Sequence, residues 1–519
     1  MAETLLSEAS QASAPTEPAA LVLRRADAPR TDRRVGRSLR AAIVFGFGSA
    51  LQRGVAFLLL PVYTRALAPA QYGTLSVLLA VSSAAGILFA FGLDMGLFRS
   101  FFLYADEPER QRRFIGSVWR FLIAVPIVLS LLVAAIAAPF VGGIRNVTPL
   151  DVLLALLAGA FFAGASAVPL VIMRVQQRLR DFIALSLVDA VATPVLTLIM
   201  VVWLHDGIGG WLIAAAASNA ILLLAALFVV PWNRGVVFDT PMVASALRFG
   251  ATLIPHAFAL WALLLLDRIV LAGLVSARQL GIYSLAATLG VPVAIGVQSL
   301  NQAMMPSYAL AGVKPEHRDH LADLIVVQVT VVLAICLAGA LLGGPLLILM
   351  AAHSYDRAAP LVAWIVLGYC FLGFYLVPMN GITLGAGRSS FVWVVSALGA
   401  VSNVVLLVVF VPNGGIRAGA VADAAAYFVL LACITVYARR PENPVRYRWS
   451  QLLPVLAVAV GVYIGGRLTT PSSGALSLTL RLAWIAGFAL FCAAGYRIRR
   501  RGITRLPATA ERGGEVRAS

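Results

Sequence analysis

Arg53, in "SALQRGVAF", and the adjacent Asp267 and Arg268, in "LLLLDRIVLAGL", are charged residues set inside long apolar runs. A charge near a bilayer centre costs roughly 2.5 to 3.5 kcal/mol on insertion scales, so such residues face a wet cavity, a partner or a ligand. Arginine stays protonated, and its planar fork can grip two phosphate oxygens at once. Arg53 and Arg268 are therefore candidate binders of an anionic group.

Helical geometry extends this set. Neighbours on a helix diverge by about 100°, so Asp267 and Arg268 are not expected to form a simple closed pair. Arg268 instead shares a stripe with Trp261, seven residues earlier, which makes Trp261 a third candidate for the binding surface. Asp267 shares its stripe with His256. A His and a carboxylate on one helix could pass a proton along it, which makes Asp267 and His256 ion-coupling candidates; the alternative is that Asp267 pairs with a base on another helix while His256 packs beside Pro255. Arg99 and Arg248 lie at helix mouths, as interfacial anchors or as flanks of a cytoplasmic entrance, whereas Arg120 can snorkel to the surface. Asp94, Asp189 and Asp423 lie near helix ends, where a cap or an interface pair is the default.

The elements that position these residues are membrane spans. The chain has 519 residues, 61% hydrophobic and 12% charged, with a mean hydropathy of +0.91, which marks an all-α polytopic membrane protein. Fourteen apolar segments are long enough to cross: 41–64, 74–97, 114–140, 151–173, 182–204, 211–231, 249–273, 281–306, 321–350, 358–385, 389–411, 418–438, 450–466 and 481–496. With the N-terminus inside, 30 of the 40 Lys and Arg fall on the cytoplasmic side, 7 outside and 3 within spans. That bias predicts cytoplasmic termini and absorbs most of the +17 net charge, leaving no aromatic-interleaved basic patch for nucleic acid. Residues 1–40 are expected to be a disordered basic tail without a cleaved signal peptide, and 497–519 a second basic tail. Cys336, Cys370, Cys433 and Cys492 lie in apolar segments without ligand spacing, so they read as small core residues, and no metal or other cofactor is expected.

The chain also repeats itself. An offset of 208 lays "RALAPAQYGTLSVLLAV" over "GLVSARQLGIYSLAATL", with Gly73 over Gly281 and Ser76 over Ser284, and at 209 "GASAVP" lies over "GFYLVP". An offset of six spans preserves orientation, so the expected architecture is two pseudo-symmetric six-helix bundles, 41–231 and 249–438, around a central cavity. Helices 13 and 14, within 450–496, are an appendix. On this offset Trp261 is the counterpart of Arg53.

"FLLLPVYTRALAPAQYGTLSVL", "LDRIVLAGLVSARQLGIYSLA" and "SNVVLLVVFVPNGGIRAGAVADAAAYFV" resemble segments of the Wzx-type polysaccharide flippases in the MOP (multidrug, oligosaccharidyl-lipid, polysaccharide) exporter superfamily, over roughly residues 40–440. The resemblance implies a bacterial-type cell-membrane flippase. It would carry a polyprenyl-pyrophosphate-linked oligosaccharide from the cytoplasmic to the outer leaflet by alternating access, for cell-surface polysaccharide synthesis. Its partners would be the lipid-linked glycan, membrane lipids and a polymerase or glycosyltransferases. The alternative is a MATE-like exporter of drugs or other small molecules, whose cavity should be dominated by acids; Arg53 and Arg268 argue against it. An enzyme is not expected, because no P-loop, catalytic carboxylate pair or base-activated nucleophile is present and the expected outer loops are short.

Overall fold

The structure is a computed structural model that describes residues 57, 59–93, 97, 107–141, 147–176, 178–229, 237–251, 254–386, 392–439, 443, 445–470 and 475–503. The N-terminal tail and most of the first expected span, including Arg53, lie outside the described residues, as does Arg99. Among the described residues there is no strand, and twelve helical stretches are long and apolar enough to cross a membrane.

The first half comprises α1 (Leu60–Ala66), α2 (Pro69–Phe89), α3 (Pro108–Val141), α4 (Pro149–Ala165), α5 (Leu179–Thr197) and α6 (Gly207–Val229). The second half opens with α7, which runs in pieces: Thr240–Ala251, Ile254–Trp261, a π turn Ala262–Leu266, and Asp267–Leu274. It continues with α8 (Ala277–Val313), α9 (Arg318–Met350) and α10 (Ala359–Asn380). The stretch Val392–Tyr437 breaks at Gly415, where φ is 58° and ψ is −155°. Only glycine adopts that backbone cheaply, so one apolar stretch becomes two antiparallel spans, α11 before the break and α12 after it. Last come α13 (Trp449–Thr469) and α14 (Ala475–Ile503). Helix continues to Ile503, so the basic tail expected from 497 begins as part of α14.

Outward surfaces are apolar, with Val128, Leu132, Ile136 and Phe228 exposed. That is the inverse of a soluble protein and suits a lipid solvent, in which each helix must satisfy its own backbone. At two prolines that break that rule, a side chain supplies the missing donor. Pro169 lacks the N–H that the π turn Ser166–Leu170 would return to Gly164, and the Trp119 indole N–H donates to the Gly164 carbonyl at 2.9 Å. Pro345 likewise leaves the Leu341 carbonyl of α9 without its helical donor, and Arg481 of α14 donates to it at 2.7 Å. This bond ties the C-terminal pair to the second half. Arg481→Ala is expected to cost about 1 to 3 kcal/mol, the penalty for an orphaned buried acceptor. Pro345→Ala in the same chain, by restoring the N–H, should recover most of the lost thermal stability; no recovery would mean that Arg481 acts otherwise.

The two halves meet where the sequence repeats. We call the end of the molecule bearing the α1–α2 and α7–α8 turns the upper end. There the cap of α2 (Gln71 accepting from the Ala68 N–H, 3.0 Å) recurs 208 residues later in α8 (Gln279 accepting from Ser276 N–H, 3.2 Å). Ser76 and Ser284 hydrogen-bond to each other at 2.8 Å. A Cβ on Gly73 would collide with the Ala277 carbonyl, and one on Gly281 with the Pro69 carbonyl, the same contact with the halves exchanged. Equivalent positions can touch in this reciprocal way only on a twofold axis, so α2 and α8 cross on the pseudo-axis. Tyr355, from the α9–α10 turn, adds a hydrogen bond to the Leu67 carbonyl at 2.9 Å, and the Tyr72 and Thr288 hydroxyls bond at 3.2 Å. The upper end is closed.

Helix α7 passes between the halves. Val243 and Ala246, on its first piece, pack in the first-half core with Trp119 and Leu122. Trp261, Leu263 and Leu271 belong to the second-half core with Tyr283 and Tyr427.

Candidate functional site

Beneath the closed upper end lies a buried polar cluster. The π turn Ala262–Leu266 in α7 breaks the regular backbone ladder there. Side chains occupy two of the turn's carbonyls: Tyr427 of α12 donates to Leu263 O at 3.2 Å, and Arg268 Nη1 to Leu264 O at 2.6 Å. The same Nη1 pairs with Asp267 Oδ1 at 2.8 Å. Tyr283 of α8 donates to Asp267 Oδ2 at 2.6 Å. Asp423 of α12 accepts from Asn403 Nδ2 of α11 at 2.9 Å and interacts electrostatically with both Asp267 and Arg268. Tyr369 of α10 and, across the interface, Tyr72 of α2 lie within electrostatic range of Arg268. Asp267 and Arg268 are only 4% and 7% exposed.

This geometry corrects the expected separation of Asp267 and Arg268. Their backbone directions diverge, but the arginine side chain is long enough to curl back onto its neighbour, and low local dielectric makes an unpaired charge costly. The π turn also changes the register: one extra residue turns the helix by about 100°, so Trp261 and Arg268 no longer share a straight seven-residue stripe. The stripe from His256 to Asp267 crosses the same turn. Trp261 is buried, stacks on Phe258 with ring centroids 4.9 Å apart, and its indole N–H has no partner among the described residues. His256 lies on the Ile254–Trp261 piece. Arg248 is exposed on the first piece of α7, and Arg120 is partly buried in α3. The structure thus brings Asp267 and Arg268 together and leaves Arg248 at a distance along α7.

Sequence reasoning missed Asp423, Asn403, Tyr283, Tyr369 and Tyr427 as members of one cluster. Asp423 stands in "AVADAAAYF" with no other charge near it, which was a usable signal. The tyrosines carried none, because an aromatic in an apolar run is ordinarily packing. Asn301 and Asn380 bond each other, Asn380 Nδ2 donating to Asn301 Oδ1 at 2.7 Å, so both are occupied in joining α8 to α10.

The comparisons with known proteins agree with this architecture. In fold the chain resembles a lipid II flippase MurJ in an inward closed conformation, with a TM-score of 0.68 and 14% identity over 88% of this chain and 99% of that one. It also resembles an inward-facing multidrug resistance MATE family transporter of the MOP superfamily (0.58, 14%, 77% and 97%). A third solved structure, a point mutant of the Vibrio cholerae MATE transporter VcmN, gives 0.53 and 15%, over 78% and 96%. No curated protein matches the sequence. The profile of the polysaccharide biosynthesis protein family matches residues 38–312, more than half of the chain. The chain therefore belongs to that family, as a multi-pass membrane protein sharing the fold of the MurJ and MATE structures.

Proposed function

We propose that the protein flips a polyprenyl-pyrophosphate-linked oligosaccharide from the cytoplasmic to the outer leaflet of a bacterial-type cell membrane. The upper end faces outward, as the distribution of Arg requires, and both termini are cytoplasmic. The observation that carries this reading is the family match, joined to a buried guanidinium directly beneath a closed outer end. A pyrophosphate cannot cross hydrocarbon bare, and a fixed arginine in a water-filled cleft replaces part of its hydration. Arg53 and Arg268 hold it at successive depths, the unpartnered Trp261 N–H donates to a sugar hydroxyl oxygen, and Arg99 and Arg248 flank the cytoplasmic entrance. The lipid tail remains in the bilayer. A polymerase or glycosyltransferases would supply and consume the cargo.

Charge balance suggests the coupling. Asp267, Asp423 and Arg268 together carry one negative charge when all are ionised, so the cluster is neutral only with one added proton. Uptake of that proton by the cluster frees Arg268 for the pyrophosphate, and Asp267 and His256, both on α7, are the residues proposed for the coupling. Asp267→Asn should therefore remove any dependence of flipping on a proton gradient, measured in vesicles with and without an imposed gradient; an unchanged dependence would move the coupling elsewhere. Arg53→Lys should keep part of the rate and Arg53→Ala none, since lysine retains the charge and loses the fork.

The substrate class is tested by ligand stabilisation. A bound ligand at 100 times its Kd adds about 2.7 kcal/mol to the folded state. Raised thermal stability with a polyprenyl-pyrophosphate oligosaccharide, and none with lipophilic cations, supports the proposal. The reverse pattern indicates a drug exporter.

A further inference from the structure

A cleft lies away from the buried cluster, between the upper ends of α11 and α12. It has a volume of about 410 Å³ and is walled by Leu406 and Phe410 on α11 and by Ala418, Val421 and Ala425 on α12, with Arg417 at its mouth. The break at Gly415 makes this cleft: the chain reverses there through a conformation that leaves open space beside Gly415. Phe410 and Val421 are exposed, so the cleft opens to the surrounding lipid. Arg417 is exposed and makes no ion pair with a carboxylate among the described residues. From Arg417 to Ala425 the helix descends about 12 Å, at 1.5 Å per residue.

We propose that this cleft binds one anionic phospholipid, its headgroup phosphate on Arg417 and the upper part of an acyl chain between α11 and α12. Charge and shape select the occupant. A free phosphate would satisfy the guanidinium but leave the apolar walls empty, and a zwitterionic lipid would bring a second, cationic group to Arg417. An anionic diacyl lipid supplies both parts, and lipid anchorage gains with every methylene buried. Ala422, which also lines the cleft, adjoins Asp423, whose side chain takes the opposite course into the buried cluster. The lipid therefore braces the hairpin that carries the Asn403–Asp423 pair.

Native mass spectrometry of the full chain in detergent, titrated with phosphatidylglycerol, tests the site. Wild type should retain the lipid in preference to phosphatidylcholine. Arg417→Gln should weaken retention about fivefold, the worth of one basic residue at an anionic surface. Arg417→Lys should keep most of it, and Ala425→Phe, which fills the cleft and keeps the charge, should also weaken it. Glycerol phosphate should fail to displace the lipid. Retention unaffected by Arg417→Gln overturns the proposal, and so does displacement by glycerol phosphate, which would make this an anion site without a lipid chain. Tighter retention of a polyprenyl phosphate than of phosphatidylglycerol also overturns it, in favour of a site for the cargo.

Discussion

Arg268→Ala is expected to lower the abundance of the protein several-fold and to abolish flipping. The guanidinium is the cation described beside Asp267 and Asp423, and removing one partner of a buried ion pair costs about 3 to 5 kcal/mol. Set against a total stability of roughly 5 to 15 kcal/mol, that loss is large. Steady-state levels respond several-fold to even about 1 to 2 kcal/mol. Arg268→Ala combined with Asp267→Asn removes one of the two stranded carboxylates and should restore part of the abundance without restoring transport. Immunoblotting of membranes beside a flipping assay separates the two roles. A double variant that is abundant and flips at the wild-type rate would leave Arg268 purely structural.

The second large effect concerns the upper closure. With both Ser76 and Ser284 replaced by Cys, the two sulfurs would occupy hydroxyl positions now 2.8 Å apart, from which a disulfide can form with little backbone movement. Oxidation should clamp α2 to α8 and reduce flipping to the level of protein-free vesicles, and a reductant should return it. Either single variant should be unaffected by oxidant. Gly281→Leu acts in the opposite sense. Its side chain meets the Pro69 carbonyl, so the closed end cannot form, and an outside thiol reagent should gain access to a cysteine placed at Tyr72. Cross-linked protein that still flips at the normal rate would mean that α2 and α8 need not part.

The spans among the described residues were legible in the sequence because lipid imposes one rule on every helix: about 20 apolar residues and no unpaired backbone. The repeat was legible too, and Gly73, Gly281, Ser76 and Ser284, found by offset alone, meet on the pseudo-axis. Boundaries moved both ways: Pro108–Val141 runs past 114–140, since a helix can continue past the hydrocarbon into water, whereas Pro69–Phe89 stops short of the expected end at 97. The site was less legible. Stripe arguments on α7 assume an unbroken α-helix, and five apolar residues, Ala262–Leu266, give no local sign that they form a π turn. The pairing of Asp267 with Arg268 depends on a side chain folding back, and the company of Asp423 depends on how α12 packs against α7 and α8. Neither is encoded in spacing along one helix.

Movement of a lipid-linked glycan between leaflets is tested most directly by reconstitution into sealed vesicles loaded with a polyprenyl-pyrophosphate oligosaccharide, reading how much becomes accessible to a membrane-impermeant glycosidase or lectin from the far side. The expected result is protein-dependent exposure of the glycan, stopped by Arg53→Ala and by oxidation of the Ser76→Cys/Ser284→Cys protein. Vesicles that transport organic cations while the glycan stays inaccessible would contradict it.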